Sequence, residues 1–179
     1  MNAKHQSDSE LQTETVENNN NFSIVDSAEI KLFPHMTVAA TDDAAILYIE
    51  KGEVTLLHNM GTYVLSKGML LYKVPQVPLQ LLSFSEDCHF KVFCFAPHFA
   101  TAGNLPIKYL ETITLIASNN PVFILDTLTA ASVTVLLWLL QKKTGWEEKV
   151  QSTDETIQHV FSILVLEIVS SYKRKREIA

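Results

Sequence analysis

Cys88, His89, Cys94 and His98 fall within one short stretch of the chain, and thiolate and imidazole donors at close spacing are what a tetrahedral metal site uses. Strand alternation argues against such a site, because successive side chains point to opposite faces and His89 then turns away from Cys88. The two cysteines are the only ones in the sequence. They read as buried free thiols, too few for a disulfide scaffold and compatible with a reducing cytosol. His58 near a turn and His35 beside Pro34 read as solvated imidazoles, and His159 as a rim position on a helix. The acidic pairs Asp42-Asp43 and Glu147-Glu148 are adjacent in sequence, whereas general acid and base partners must converge across a cleft. The sequence has no phosphate-cradling glycine loop, no nucleophile elbow and no His-Glu-x-x-His pair. It is therefore read as a non-enzyme, with no catalytic residue, no metal ligand and no cofactor assigned.

What must position any site is a chain of 179 residues, 47% hydrophobic, with a net charge of −6. That length and composition allow one domain with a substantial core. The acidic balance disfavours a broad face for DNA or acidic membranes, since phosphate binding rests on Lys and Arg. Residues 1–21 are polar, end in an asparagine run, lack the apolar core of a signal peptide and are expected to be disordered. The most membrane-like run, Thr127 to Leu140, is shorter than the roughly 18 residues a span needs and carries Thr129, Ser132 and Thr134. No membrane association is expected, and the cytoplasm is the expected compartment.

From Phe22 to Phe95 the chain reads as short strands near Phe22–Val25, Ile30–Leu32, Met36–Ala39, Ala45–Glu50, Glu53–His58, Thr62–Leu65, Met69–Val74, Leu79–Ser83 and His89–Phe95. Gly52, Gly61 and Gly68 punctuate them and permit the positive φ of tight hairpin turns. A meander of this kind closes into a barrel or sandwich that can hold a small ligand. One strand parity puts Tyr48, Leu56 and Tyr72 on a common wall, with Phe93 and Phe95 from a later strand. Apolar walls with a few hydroxyls suit a small-molecule effector, and they suit a filled core equally well.

Beyond Pro97, Gly103 and Pro106 a short helix is expected over Ile107–Ala117, then an extended piece at Pro121–Leu125. A helix capped by Thr129 and a second capped by Thr153 or Asp154 follow, the first ending before Gly145. Their apolar stripes comprise Val133, Leu136, Leu137 and Leu140, and Ile157, Val160, Phe161, Leu164, Val165, Ile168 and Tyr172. Each helix is apolar around more than one side, with Val135, Trp138 and Leu139 on the first and Ile163, Leu166 and Val169 on the second. Either the helices bury each other as well as the strands, or a second copy covers them. Val133, Leu136, Leu137, Leu140, Ile157, Val160, Phe161, Leu164 and Ile168 are the candidates for a dimer interface.

The run Glu50-Lys51-Gly52-Glu53-Val54, then Gly61-Thr62-Tyr63-Val64-Leu65, then Lys67-Gly68-Met69-Leu70-Leu71 closing at Val74-Pro75, resembles the cupin-like sensor domain of AraC-type transcription regulators. Phe93-Cys94-Phe95-Ala96-Pro97-His98-Phe99, a short helix, a strand and two helices continue the resemblance to Tyr172. It implies a mostly β fold with α: a cupin-like jelly-roll (double-stranded β-helix) barrel over 22–126 and an antiparallel helical hairpin over 127–172. In that family the barrel accepts a small effector, the helical pair makes a homodimer, and a separate domain reads DNA. Here 173–179 is a basic tail or the start of a linker, and DNA contact would need a domain absent from this sequence. Cupin enzymes are the alternative, but at their metal motifs this chain has Val38-Ala39-Ala40-Thr41-Asp42-Asp43-Ala44-Ala45 and, after Pro75, Gln76-Val77-Pro78-Leu79, without imidazoles. A stand-alone module that pairs with full-length regulators is the further alternative.

Overall fold

The computed structural model describes residues 22–30, 37–38, 41–102, 105–144 and 151–178. The elements run β1 (Phe22–Asp26), α1 (Ser27–Ile30), β2 (Thr37–Val38), β3 (Ala44–Lys51), β4 (Glu53–His58), β5 (Gly61–Ser66), β6 (Met69–Lys73), β7 (Leu79–Phe84) and β8 (His89–Phe95). They continue as α2 (Pro97–Ala102), α3 (Ile107–Asn119), β9 (Val122–Ile124), α4 (Thr127–Thr144) and α5 (Gln151–Ile178). One sheet has the order β1-β8-β3-β6-β9 and the other β2-β7-β4-β5. All the strand pairs are antiparallel. The result is mostly sheet with helices, an arrangement that fits a jelly-roll-like β fold.

The five-stranded sheet is buried on both faces, which explains the unbroken apolar run of β3. Ala45, Leu47 and Ile49 face Val54, Leu56, Leu65 and Leu81 of the other sheet. Ala44, Ile46 and Tyr48 face the helices, where Phe93 and Phe95 meet Val133, Leu137, Phe161 and Leu164. Helices α4 and α5 pack on each other. The end of α5 returns to the start of α4, where Arg174 donates to Thr129 Oγ1 at 2.8 Å.

Several sequence expectations change. Ile30 closes the helical turn α1 rather than opening a strand, because Asp26 Oδ1 accepts the Ala28 amide at 3.0 Å and starts a turn there. Positive φ in the β4–β5 turn falls on Asn59 and Met60, not on Gly61, whereas Gly52 and Gly68 do adopt it. The cap of α4 is Asp126 rather than Thr129: its Oδ1 accepts the Thr129 amide at 2.8 Å and its Oδ2 the Thr129 hydroxyl at 2.8 Å. Helix α5 begins at Gln151, ahead of Thr153 and Asp154, and runs through the basic segment to Ile178. Residues 1–21, 31–36 with His35, Gly103 and the 145–150 connection lie outside the described residues.

Asp126 also ties the two helices together, accepting from Ser171 Oγ at 3.3 Å and from Arg174 at 3.3 Å. These hydrogen bonds, the Thr129 amide first, hold its carboxyl well below the usual carboxylate range. An acid with a depressed folded-state pKa stabilises the fold above its ordinary value of about 4, and that contribution is lost as pH falls toward the folded value. Asp126→Ala should therefore lower the melting temperature by a few degrees at pH 7, with the gap to the unaltered chain narrowing by pH 3. A gap of equal size at both pH values, in thermal melts followed by circular dichroism, would show that the ionised cap is not what stabilises this junction.

Candidate functional site

The five residues proposed for a common ligand wall divide between two layers. Leu56 lies between the sheets, whereas Tyr48, Tyr72, Phe93 and Phe95 lie between the five-stranded sheet and the helices. The reason is registry. Tyr48 is even-numbered on β3, and the positions Ala45, Leu47 and Ile49 of opposite parity are the ones turned toward the other sheet.

In the helical layer the tyrosines act as ties. The Tyr48 hydroxyl donates to the Ala130 carbonyl of α4 at 3.1 Å and sits 3.1 Å from Thr134 Oγ1. The Tyr72 hydroxyl is 3.4 Å from Thr114 Oγ1 of α3. Burial raises the pKa of both phenols, so they stay neutral and able to donate. Phe93, Phe95 and Phe99 surround the Phe161 ring with centroid separations of 5.7, 4.7 and 5.4 Å. Displacements in the sheet are thereby coupled to α3, α4 and α5 through stiff side chains.

The proposed dimer residues are placed by the same layer. Val133, Leu137, Leu140, Ile157, Val160, Phe161, Leu164 and Ile168 are buried within one chain, and Leu136 is partly buried against that core. They are not available to a second copy. What α4 leaves outside is another stripe, Leu128 at 77%, Val135 at 61% and Trp138 at 51% exposure. Those positions share one helix face by their spacing.

Between the sheets the lining is apolar, mostly aliphatic with the Phe90 ring among it, except at one end. His58, read from sequence as solvated, is buried, because as an even-numbered position on β4 it points inward with Val54 and Leu56. Its Nδ1 donates to the Pro78 carbonyl at 3.0 Å, and its buried Nε2 has no partner among the described residues. Burial lowers its pKa and the Lys73 charge lowers it further, against the Pro78 bond. Lys73 is fully buried and donates to the main-chain oxygen of Asp43 at 2.8 Å. Sequence reading missed Lys73; the sign was a lysine closing an otherwise apolar strand, Met69-Leu70-Leu71-Tyr72-Lys73.

Cys88 and Cys94 are free thiols, Cys88 buried between the sheets just ahead of β8 and Cys94 partly buried near that strand's other end. Burial pushes the Cys94 thiol up to about 11. His89, His98 and His159 are exposed. Among the described residues no three His, Cys, Asp or Glu side chains converge in a way that could hold a metal ion. Among them, too, no helix is long and apolar enough to cross a membrane.

Among solved structures, ToxT from Vibrio cholerae in its apo form matches with a TM-score of 0.51 and 13% identity over 88% of this chain and 59% of that one. The two share a fold. This chain thus spans about three-fifths of the ToxT chain, the 59% that the match covers. The AraC-like transcriptional activator CuxR matches at a TM-score of 0.42 and 14% identity, over 71% of this chain and 43% of that one. A predicted oxalate decarboxylase from Thermotoga maritima matches at 0.33 and 16% identity, over 42% and 64%. At those two scores the likeness carries no weight. No protein-family model matches the sequence, and no curated protein does. The resemblance to AraC-type sensor domains read from the glycine-punctuated strands thus has its counterpart in the fold shared with the regulator ToxT.

Proposed function

We propose that this chain is the non-catalytic, effector-sensing and dimerising part of an AraC-type transcription regulator, acting in the cytoplasm. The observation that carries the reading is a sheet with two working faces. One lines an apolar interior with a buried polar end, and the other is tied by Tyr48 and Tyr72 to helices whose outer side remains apolar. The fold shared with ToxT supports it. A small effector held between the sheets would shift that sheet against α3 and α4, and it acts only by binding one arrangement better than the other. DNA contact is assigned to a domain outside this sequence, in keeping with the net charge of −6.

The dimer surface we assign is the exposed α4 stripe of Leu128, Val135 and Trp138. Large aromatic side chains at the centre of such patches carry much of the association energy. Trp138→Glu should yield a folded monomer in sedimentation velocity, with at least ~30-fold weaker self-association, and a melting curve like that of the unaltered chain at a concentration where both are monomeric. An unchanged dimer would move the interface elsewhere, and a chain that is monomeric without the substitution would remove dimerisation from the proposal.

A further inference from the structure

Two buried basic side chains close one end of the inter-sheet interior, and among the described residues neither has a carboxylate at ion-pair distance. The Nδ1 of His58 donates to the Pro78 carbonyl at 3.0 Å, and its buried Nε2 has no partner among those residues. Lys73 donates to the Asp43 main-chain oxygen at 2.8 Å and lies near enough for its charge to act on the His58 ring. The other buried lysine is treated differently. Lys91 meets Asp26 at 3.0 Å and Glu50 at 3.6 Å. Around His58, β5 brings only the Tyr63 hydroxyl, beside Gly61, the cross-strand partner of His58, and β7 brings Leu79. The Asp43 carboxylate and the Cys94 thiol act on Lys73 rather than on the ring.

What the His58 ring holds is the 75–78 segment, and that segment is strained. Gln76 sits in the left-handed region at φ 66°, which a residue with a side chain adopts at a cost. It is kept there by its amide, which donates to the Thr41 carbonyl at 2.8 Å, and by its side chain, which donates to the Asp42 carboxylate. The His58–Pro78 bond is the inward tie. A proton on Nε2 leaves a buried N–H without an acceptor and sets a second positive charge beside Lys73 where no counter-charge is in contact. Letting go of the segment admits water and relieves both penalties. We propose that His58 is an acid-sensitive latch: protonation of its Nε2 frees the 75–78 segment and opens the Lys73 end of the inter-sheet interior. Such a latch works without any effector and so stands apart from the sensing reading. Burial, with the Lys73 charge, outweighs the Pro78 bond and holds the ring below its ordinary pKa of about 6.5. The closed form is thus favoured in full above that pH and progressively less below it.

Amide hydrogen exchange of the full chain, read residue by residue by NMR at about pH 7.5 and pH 5.5, tests this with the carboxylates ionised throughout. Corrected for intrinsic rates, protection of the Gln76 and Val77 amides should fall at least ~10-fold at the lower pH, while Ile46 and Leu47 of β3 keep theirs. His58→Asn retains a donor for Pro78 and cannot titrate in this range, so its protection should not fall. Lys73→Met removes the neighbouring charge and should shrink the fall. If neither variant folds, the unaltered chain decides: its His58 ring protons should titrate over the pH range in which Gln76 loses protection. Equal protection at both pH values, a fall shared by Ile46 and Leu47, a fall undiminished in either variant, or a His58 ring that takes its proton while Gln76 stays protected would overturn the latch.

Discussion

Phe161→Ala should lower the unfolding free energy of the chain by about 3–5 kcal/mol, the range for truncating a buried aromatic side chain. The ring is 1% exposed and joins α5 to β8 and α2: Phe93 and Phe95 come from β8 and Phe99 from α2. Neighbouring Leu164 and Val165 are held by the same core and cannot collapse freely into the space. The cavity should therefore persist rather than heal. Urea unfolding of the purified chain, with tryptophan fluorescence and circular dichroism compared for coincidence, measures the effect. Had Phe161 faced a second copy, truncation would weaken association and leave the unfolding of the monomer nearly unchanged. A loss below about 1 kcal/mol would thus return the ring to the surface.

Strand positions were the most legible part of this sequence. Glu53–His58 and His89–Phe95 match β4 and β8 residue for residue, because Gly52 and Asn59-Met60-Gly61 bound the first run and Glu86-Asp87 and Pro97 punctuate the second. Facing was illegible where it mattered most. On β4 the alternation of apolar and polar residues points Leu56 inward, but on β3 and β6 nearly every residue is apolar because both faces of that sheet are covered. Parity alone could not say that Tyr48 and Tyr72 look toward helical residues 82 and 42 positions away in sequence, and only the tertiary ties to Ala130 and Thr114 reveal it. The helices were legible as amphipathic. Their deeper stripe was assigned to a partner because a sequence does not show that a fully covered sheet needs that stripe for itself. Lys73 and His58 were hidden by ordinary expectation, since lysine and histidine at strand ends are usually solvated.

Gly52→Ala should cost about 3–5 kcal/mol, whereas Gly68→Ala should cost only about 1–2, although both glycines sit in the left-handed region at φ +73° and +81°. The shared part is backbone strain, which any side chain at that φ incurs. The difference is space. A Cβ on Gly52 would come within 2.5 Å of Ser85 Oγ and 2.7 Å of the Cys88 main chain, while one on Gly68 would meet nothing within 4 Å. Nor can Ser85 step aside cheaply. Its hydroxyl accepts the Glu53 amide at 3.0 Å and donates to Asp87 at 3.0 Å, and its own amide donates to the Glu53 carbonyl at 2.9 Å. The β3–β4 turn is thus locked onto the β7–β8 turn, and an added methyl must part them, breaking those hydrogen bonds and loosening the buried Cys88 behind them. Because both variants carry the same change in unfolded-chain entropy, the gap between their urea midpoints isolates the collision. Equal losses for the two alanines would mean that the turns are held apart in solution, and that this end of the inter-sheet interior is open rather than sealed.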